Sequence, residues 1–244
     1  MTRRRGHEFS AEETAELLAE LDVRLRRRGI AASIFIVGGA AIAATGVRSG
    51  RLTEDVDALT RDTVVLDEAK TLARERGLPE TWLNPNANMW MPPLPGGVLD
   101  PPAEPGLQVT YAAEGFLLAT KLIAQRARDS DDVIALAGRL GLATATPEQL
   151  EAHIRSYYTD QASLEFIVDG KDVDREITFL AQDASRMLNK TATVCIETPA
   201  PATNPATDPA TGPGTDRLRR SRQQEQRNPP TLGGQPPDPH APGR

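Results

Sequence analysis

A short apolar run followed at once by two glycines sets the first limit on the fold. Ala32–Val37 is short, apolar and rich in β-branched residues, which predicts a buried strand, and Gly38-Gly39 ends it. The small residues that follow, AAIAATG, favour a helix, and a second strand is expected over Asp55–Leu59. A strand, a glycine turn, a helix and another strand in this order predict an α/β or α+β domain built on a small sheet.

Helical periodicity dominates the rest of the chain. Ser10-Ala-Glu-Glu13 predicts a capping box, in which Ser10 caps a helix and Glu13 reaches back to it, and leucines at helical spacing follow. The stretch EGFLLATKLIAQRARDSDDVIALAGRLG indicates a long helical region that breaks near Asp129-Ser130. The expected fold is therefore α/β (α+β), a small mixed sheet flanked by helices with a helical C-terminal part. Further elements are predicted at Thr63–Arg76 (helix), Leu107–Tyr111 (strand), Pro147–Tyr158 (helix) and Asp172–Leu188 (helix).

Composition separates a folding part from a tail. Residues 1–196 are expected to form one domain, with a core at 30–142 and a helical C-terminal part at 143–192. Residues 197–244 are rich in proline, alanine and arginine and have no apolar periodicity. Such a segment cannot bury enough apolar surface to offset the entropy of ordering it, which predicts a disordered tail.

One loop, GLPETWLNPNANMWMPPLPGG, is longer than ordinary connections and carries both tryptophans. Burial of Trp82 and Trp90 is expected to hold it in an ordered conformation. Its asparagines favour turns over contacts with a base or ribose. Further along the chain, Tyr157 and Tyr158 are open to two interpretations, stacking on RNA or packing within the protein.

Charge and cysteine content exclude several classes of protein. A net charge of −6 argues against a broad electrostatic platform for nucleic acid. Cys195 is the only cysteine, so an internal disulfide and a thiol-rich metal site are excluded. The basic N-terminal segment lacks the apolar core of a signal peptide, and the most apolar stretch is shorter than the ~20 residues of a membrane span. These features predict a soluble, cytoplasmic protein without a membrane partner.

Asp55 and Asp57 carry the chemistry that the sequence indicates most clearly. At positions i and i+2 of a strand, both carboxylates point to the same face. Two adjacent carboxylates repel each other unless a cation neutralises them. Mg²⁺ (or Mn²⁺) suits such a pair, because it binds one or two carboxylates and completes its coordination with water and substrate phosphates. By itself, however, Asp-x-Asp is more often a strand with no metal.

The glycine pair offers a matching site for phosphates. Gly38 and Gly39 lie where a strand meets a helix, so phosphates can approach bare backbone N–H groups at a positive helix end. Neither the P-loop pattern nor the dinucleotide-binding pattern G-x-G-x-x-G is present. A glycine pair alone is more often a tight turn. Combined with Asp55 and Asp57, it predicts a nucleoside triphosphate held between backbone amides and metal-binding carboxylates.

The combined motif resembles the nucleotidyltransferase superfamily. VGGAAIA…RLTEDVDAL is similar to its signature of an apolar residue, Gly-Gly or Gly-Ser, a spacer and Asp-x-Asp. AbiEii/AbiGii-type toxins, which include the MenT toxins, share the motif Arg-x-Ser/Thr-x-Asp-x-Asp. Its arginine and its Ser/Thr position match Arg51 and Thr53. They also share K-L-x-A-x-R-x-R-D-x-x-D, which KLIAQRARDSDD matches, and GLPETWLNPNA is similar to a segment of their relatives. The resemblance covers Ile34–Leu142.

This resemblance implies Mg²⁺-dependent transfer of a nucleoside monophosphate from an NTP to an acceptor, with release of pyrophosphate. Asp55 and Asp57 would bind the metal, and Gly38 and Gly39 would hold the β- and γ-phosphates. The acceptor it implies is RNA, such as a tRNA 3′ end, and the role is the toxin of a toxin–antitoxin or phage-defence pair, with a protein antitoxin as partner. The other nucleotide-binding residues that it implies are Arg51, Thr53, Lys121 and Arg128.

Lys121 lies on an otherwise apolar helical segment, FLLATKLIA. At about 100° per residue, Lys121, Gln125, Arg128 and Asp132 share one face of a continuous helix. A buried ammonium needs an anion, which a triphosphate would supply. The alternatives are that Lys121 reaches solvent or pairs with an internal carboxylate.

A third catalytic carboxylate is expected outside the strands. Many members of the superfamily place it on a later strand, but LQVTY has none. Asp129 or Asp132 is expected to take this role. Either one of Asp55 and Asp57, or Asp132 through the metal, would help to deprotonate the acceptor hydroxyl. For Asp129, capping of the following helix is the stronger explanation, because it accounts fully for an aspartate at this position.

Three other functions remain open at the level of sequence. The enzyme could transfer a nucleotide or a phosphate to a protein. The same fold could sense nucleotides without turnover. The proline-rich tail could instead be an interaction segment, in which case removing everything after Glu197 would abolish function, and we expect that it would not.

Overall fold

A small mixed sheet with helices around it forms the frame of the molecule. The computed structural model describes residues 7–168 and 172–197, and within them a four-stranded sheet is flanked by eight α-helices, which confirms the predicted α+β class. The strands are β1 (Ala31–Ile36), β2 (Val56–Leu59), β3 (Leu83–Asn84) and β4 (Gly106–Tyr111). The helices are α1 (Ala11–Arg27), α2 (Gly38–Ala44), α3 (Thr63–Arg76), α4 (Glu114–Ala124), α5 (Ser130–Arg139), α6 (Pro147–Tyr157), α7 (Gln161–Ile167) and α8 (Val173–Glu197), with 3₁₀ turns at Asn86–Trp90 and Ala127–Asp129.

The sheet topology brings the start of β2 beside the end of β1. Its strand order is β3-β2-β1-β4, with β1 parallel to β4 and antiparallel to β2. Ile36 pairs with Ala58, and the Val37 N–H donates to the Asp57 backbone oxygen at 3.0 Å. Since β2 runs back along β1, the residues that open β2 lie at the edge of the sheet where β1 turns into α2. The glycine pair and the two aspartates therefore meet at this edge.

The first helix confirms half of the predicted capping box. The Ser10 hydroxyl accepts from the Glu13 backbone N–H at 3.2 Å, as expected of an N-cap. The Glu13 carboxylate contacts His7 Nε2 at 2.9 Å, where the prediction had it reaching back to Ser10. A complete capping box does occur, between Thr146 and Gln149 at the start of α6.

Several predicted elements have different bounds. The helix expected to end at Leu188 continues to Glu197, while β3 and α7 were not predicted. The prediction that both tryptophans are buried is right for Trp82, whose Nε1–H donates to the Ala69 backbone oxygen at 3.0 Å, and wrong for Trp90, which is 46% exposed. Beyond Glu197, the predicted disordered tail lies outside the described residues. Among the helices of residues 7–168 and 172–197, none has the length and apolar character needed to span a bilayer.

Candidate active site

Bare backbone forms the bend after β1. Gly38 has a left-handed backbone with φ +66°, a conformation that favours glycine because a Cβ would crowd the main chain. α2 begins at this residue, so the chain passes directly from strand to helix. A Cβ placed on Gly38 would lie 3.0 Å from Asp57 Oδ2. The missing side chain therefore leaves the Asp57 carboxylate directly against the bend.

Gly39 lies against the loop that leads into β2. A Cβ on Gly39 would be 2.9 Å from Thr53 Oγ1 and 3.0 Å from an Arg51 guanidinium nitrogen. Thr53 Oγ1 donates to the Asp55 backbone oxygen at 2.8 Å, and the Thr53 backbone exchanges two hydrogen bonds with Phe9. The Thr53 hydroxyl is thus engaged in shaping the approach to Asp55.

Replacing Gly38 by alanine should weaken the predicted binding of a divalent cation at Asp57. Gly46→Ala is the matched control, because Gly46 has φ +70° and no atom within 4 Å of an added Cβ. Both variants should lose about 1–2 kcal/mol of unfolding free energy in urea, from backbone strain. Only Gly38→Ala adds a methyl group against the carboxylate, so only it should lose affinity for Mn²⁺ in calorimetric titrations. Unchanged Mn²⁺ binding by Gly38→Ala would contradict the placement of the cation beside the bend.

The two predicted metal-binding carboxylates open into one cleft. Asp55 Oδ2 accepts from Asn84 Nδ2 at 3.1 Å, and the pairing of β2 with β3 places Asn84 opposite Asp57. The Asn84 side-chain oxygen also accepts from the Asn86 backbone N–H at 2.9 Å, which makes a turn of the kind predicted for these asparagines. Within the part of the chain that the structure describes, neither aspartate forms an ion pair. Asp55 is therefore oriented by an amide, and the pair keeps its negative charge uncompensated by a close cation.

Burial and mutual repulsion act on Asp57. Burial, followed by the charge of Asp55, raises the pKa of the Asp57 carboxyl from 3.8 to about 6, although the positive charges of Arg126, Lys121 and Arg128 oppose the rise. A carboxylate that is costly to ionise gains the most from a neighbouring cation. The pair thus has the electrostatic character expected of a metal site.

A second group of charges forms the wall behind the cleft, and we call it the Asp132 cluster. Asp132 is fully buried, and its carboxylate oxygens contact Arg48 Nη1 at 2.6 Å, Arg51 Nε at 3.1 Å and Lys121 Nζ at 3.2 Å. Lys121 Nζ also contacts Asp129 Oδ1 at 2.7 Å. Burial raises the pKa of the Asp132 carboxyl, but hydrogen bonds from Arg48 and Arg51 and the charge of Lys121 outweigh that effect and lower it. Asp132 is consequently a buried anion held by three cations.

The helical region breaks before Ser130, as predicted, so Lys121 and Asp132 do not share a face of one continuous helix. α4 ends at Ala124, and Gln125 takes a left-handed backbone with φ 39°. Lys121 meets Asp132 because the chain folds back through a 3₁₀ turn. Asp129 makes no capping hydrogen bond to α5 and pairs with Lys121 instead, so the capping explanation for Asp129 is wrong.

A cleft lies between the glycine bend, the Asp55–Asp57 pair and the turn that joins α4 to α5. Its volume is about 1010 Å³. Asp132 does not line it, because its carboxylate is enclosed by the cations of its own cluster. The other predicted metal- and nucleotide-binding residues all line it, and they are Gly38, Gly39, Arg51, Thr53, Asp55, Asp57, Lys121 and Arg128.

Two arginines of the site were not assigned a role from sequence. Arg126 lines the cleft and influences the pKa of Asp57, while Arg48 joins the Asp132 cluster. Arg126 belongs to the motif KLIAQRARDSDD. Its position three residues before Asp129 could have indicated from sequence that it lies near the site. Nothing local marks Arg48, since its partner lies 84 residues further along the chain.

Tyr157 and Tyr158 pack within the protein. Tyr158 is buried, and its hydroxyl donates to the Trp90 backbone oxygen at 2.9 Å. Tyr157 packs edge-on against Phe116, with ring centroids 6.1 Å apart. Both tyrosines therefore take part in packing within the protein, which is the second of the two interpretations left open by the sequence.

Among the described residues, no group of three or more His, Cys, Asp or Glu side chains is arranged to hold a metal ion, so the candidate metal site consists of the Asp55–Asp57 pair. Such a pair fits a cation that takes only one or two protein carboxylates and fills its remaining positions with water and phosphate oxygens. Neither protein-family models, nor curated proteins, nor solved structures provide a match to this chain.

Proposed function

We propose that this protein is a Mg²⁺-dependent nucleotidyltransferase, which moves a nucleoside monophosphate from an NTP to an acceptor. One observation carries the proposal: a glycine bend and a carboxylate pair face each other at one edge of the sheet, with the Gly38 Cβ position 3.0 Å from Asp57 Oδ2. Bare amides at a bend suit phosphate oxygens, and carboxylates without cationic partners suit a divalent cation. These two adjacent features would form the two halves of a metal–triphosphate site.

The acid pair would hold Mg²⁺ or Mn²⁺. When bound, such a cation offsets the negative charge that develops on the transferring phosphoryl group. Asn84 would keep the Asp55 carboxylate turned toward the cleft through its amide donor. Asp57 would be the ligand whose orientation depends on the room left by Gly38.

Phosphate charge would be met mainly by Arg126 and Arg128. Both line the cleft, and their guanidinium groups form no ion pair within residues 7–168 and 172–197. Lys121 has three N–H donors, of which Asp129 and Asp132 engage two, so one remains for a phosphate oxygen. Arg51, held by Asp132 and by the Leu52 backbone oxygen, would position the loop beside Gly39.

The reaction itself is an in-line displacement at phosphorus. The acceptor hydroxyl oxygen forms a bond to the α-phosphorus, the bond from that phosphorus to the bridging oxygen breaks, and pyrophosphate leaves with both electrons of the broken bond. The hydroxyl proton passes to the Asp55–Asp57 pair. Asp132 is not assigned this role, because three cations already occupy its carboxylate. The residues of the cleft contribute by positioning and by electrostatics.

The acceptor and the biological role rest on the sequence resemblance. That resemblance favours RNA, such as a tRNA 3′ end, as the acceptor, and a toxin paired with a protein antitoxin as the role. Arg126 and Arg128 support an anionic acceptor, because both are exposed at the cleft.

Labelled NTPs test the proposal directly. The full chain is incubated with each NTP carrying ³²P at the α or the γ position, with Mg²⁺ or Mn²⁺, and with RNA and protein acceptors in parallel. Label from the α position should appear on RNA, together with released pyrophosphate. Asp67→Asn, which removes an exposed carboxylate from α3, is the control that should retain activity. Transfer of γ-label would show kinase chemistry instead, and Mg²⁺–NTP binding without any transfer would indicate a nucleotide sensor.

A further inference from the structure

Two exposed aromatic side chains form a shelf at one side of the cleft. Trp90 lines the cleft and is 46% exposed, and Phe166 of α7 is 60% exposed. Their rings are stacked, with centroids 6.2 Å apart and an angle of 29° between the planes. Large aromatic side chains are usually buried, so a stacked pair left open beside a functional cleft marks a binding surface.

A buried tyrosine holds the backbone of the shelf at Trp90. The Tyr158 hydroxyl donates to the Trp90 backbone oxygen at 2.9 Å, and Tyr158 is itself buried. Ile167, next to Phe166, lines the cleft as well. Trp90 is thus exposed on a fixed backbone, which lowers the entropy cost of stacking a ligand on its ring.

Charge near the shelf favours a polyanion with flat rings. Arg126 and Arg128 line the same cleft, are exposed, and have no carboxylate partner in the described part of the chain. Aromatic rings beside unpaired cations are the combination that binds single-stranded nucleic acid, where bases stack and phosphates meet the arginines. A net charge of −6 for the whole chain confines this attraction to the cleft and its rim.

The extent of the shelf favours a strand over a single nucleotide. Trp90 lies in the cleft, whereas Phe166 lies beyond its lining, so the stacked pair leads outward from the acid pair. The cleft volume of about 1010 Å³ is at the upper end of the ~300–1000 Å³ typical of small-molecule pockets, which leaves space for a second reactant beside an NTP.

We propose that the Trp90–Phe166 shelf stacks the bases next to the reacting end of a single-stranded nucleic-acid acceptor. This inference rests on the proposed function, since it names the second substrate of the same cleft. Arg126 and Arg128 neutralise the phosphates of that strand as it enters. The shelf binds through ring faces, so it tolerates different bases and supplies affinity more than sequence selection.

Tryptophan fluorescence tests the shelf without any need for catalysis. The chain has two tryptophans, and Trp82 is fully buried, so quenching by ligands in solution reports on Trp90. A short oligouridylate, titrated into the full chain without NTP, should quench this emission. In anisotropy titrations with labelled oligouridylate, Trp90→Ala should weaken binding by about tenfold to a hundredfold, and Phe166→Ala should weaken it too. Trp90→Phe should retain most of the affinity, which separates loss of stacking from loss of folding.

Matched controls decide between the possible occupants. Phe179→Ala removes an aromatic side chain of α8 that is 43% exposed and does not line the cleft, and it should bind RNA normally. Equal RNA affinity of Trp90→Ala and the unaltered protein would overturn the proposal. Quenching by Mg²⁺–ATP alone, with none by RNA, would overturn it in favour of the donor base. Resistance of Trp90 to acrylamide would overturn it as well, because the chain itself or a second copy would then cover the shelf. RNA bound at Trp90 without nucleotide transfer would support the shelf and refute the proposed reaction.

Discussion

Asp57→Asn is expected to abolish nucleotide transfer and, at the same time, to stabilise the metal-free protein. A bound cation contributes several kcal/mol of transition-state stabilisation, so losing it should lower kcat/KM by about 10³-fold or more. In the metal-free protein, the amide removes a carboxylate whose ionisation is opposed by burial and by Asp55. The rise of its pKa from 3.8 to about 6 corresponds to roughly 2–3 kcal/mol, and we expect about 2 kcal/mol because solvent partly screens the group.

The pH dependence of this stabilisation has a definite sign. Because the pKa of Asp57 is higher in the folded protein than its ordinary value of 3.8, folding favours the protonated form. The contribution of Asp57 to stability is therefore fully present below about pH 4 and is lost as the pH rises toward about 6. The asparagine amide of the variant cannot ionise, so the advantage of the variant should grow between these values and stay constant above them.

Urea unfolding across this pH range measures the stabilisation, thermal unfolding with and without Mg²⁺ measures cation binding, and the labelled-NTP assay measures the loss of transfer. Mg²⁺ should raise the Tm of the unaltered protein, because the cation binds the folded state, and should leave the Tm of Asp57→Asn nearly unchanged. Asp67→Asn serves again as the control, since its carboxylate is exposed on α3. Destabilisation of the metal-free protein by Asp57→Asn at neutral pH would contradict the prediction. It would mean that other groups of the fold already compensate the charge of Asp57, so that the acid pair needs no cation.

Asp132→Asn should be among the most destabilising conservative substitutions in the chain. The asparagine keeps the shape of the side chain but leaves Arg48, Arg51 and Lys121 without the buried anion that they share. Breaking a buried ion pair from one side costs about 3–5 kcal/mol. We expect about 3 kcal/mol, because Arg48 and Arg51 can still reach water.

The neighbouring residue supplies the control. Asp131 contacts Arg48 at 3.2 Å, but its side chain is 73% exposed, so Asp131→Asn should change the unfolding free energy by less than about 1 kcal/mol. Urea titration of both variants at neutral pH makes the comparison. Equal and small losses would mean that the Asp132 cluster does not stabilise the fold. If Asp132→Asn kept the unfolding free energy of the unaltered protein but lost nucleotide transfer, Asp132 would have a catalytic role after all.

Local signals explain what the sequence predicted well. The strands at the bend were expected at Ala32–Val37 and Asp55–Leu59, and they occur within one residue of those bounds, because buried strands are short and apolar. The spacing of Asp55 and Asp57 predicted two carboxylates on one side of a strand. Asp57 lies on β2 and Asp55 lies immediately before it, and both line the cleft. The Thr63–Arg76 helix has the predicted bounds, since Gly77 ends it with a left-handed backbone.

The features that the sequence did not predict depend on tertiary contacts. Gln125 ends α4 in a left-handed conformation that favours glycine or asparagine, and no local pattern identifies glutamine for that role. The partners of Asp132 come from a distant loop, so spacing along a helix gave the right neighbour, Lys121, for the wrong reason. The two tryptophans share one loop, and only the packing of the finished fold buries Trp82 while leaving Trp90 open.

The long separation between the partners of the Asp132 cluster has a consequence for the order of assembly. Arg48 and Arg51 precede Asp132 by 84 and 81 residues, so the wall can form only after Asp132 has been synthesised. Such distant pairings are completed late, after closer contacts have ordered the chain. A nascent polypeptide would thus carry the glycine bend and Asp57 on the ribosome for some time without a finished pocket. We expect chains that end before Asp132 to lack nucleotide transfer, because the wall behind the cleft is then incomplete.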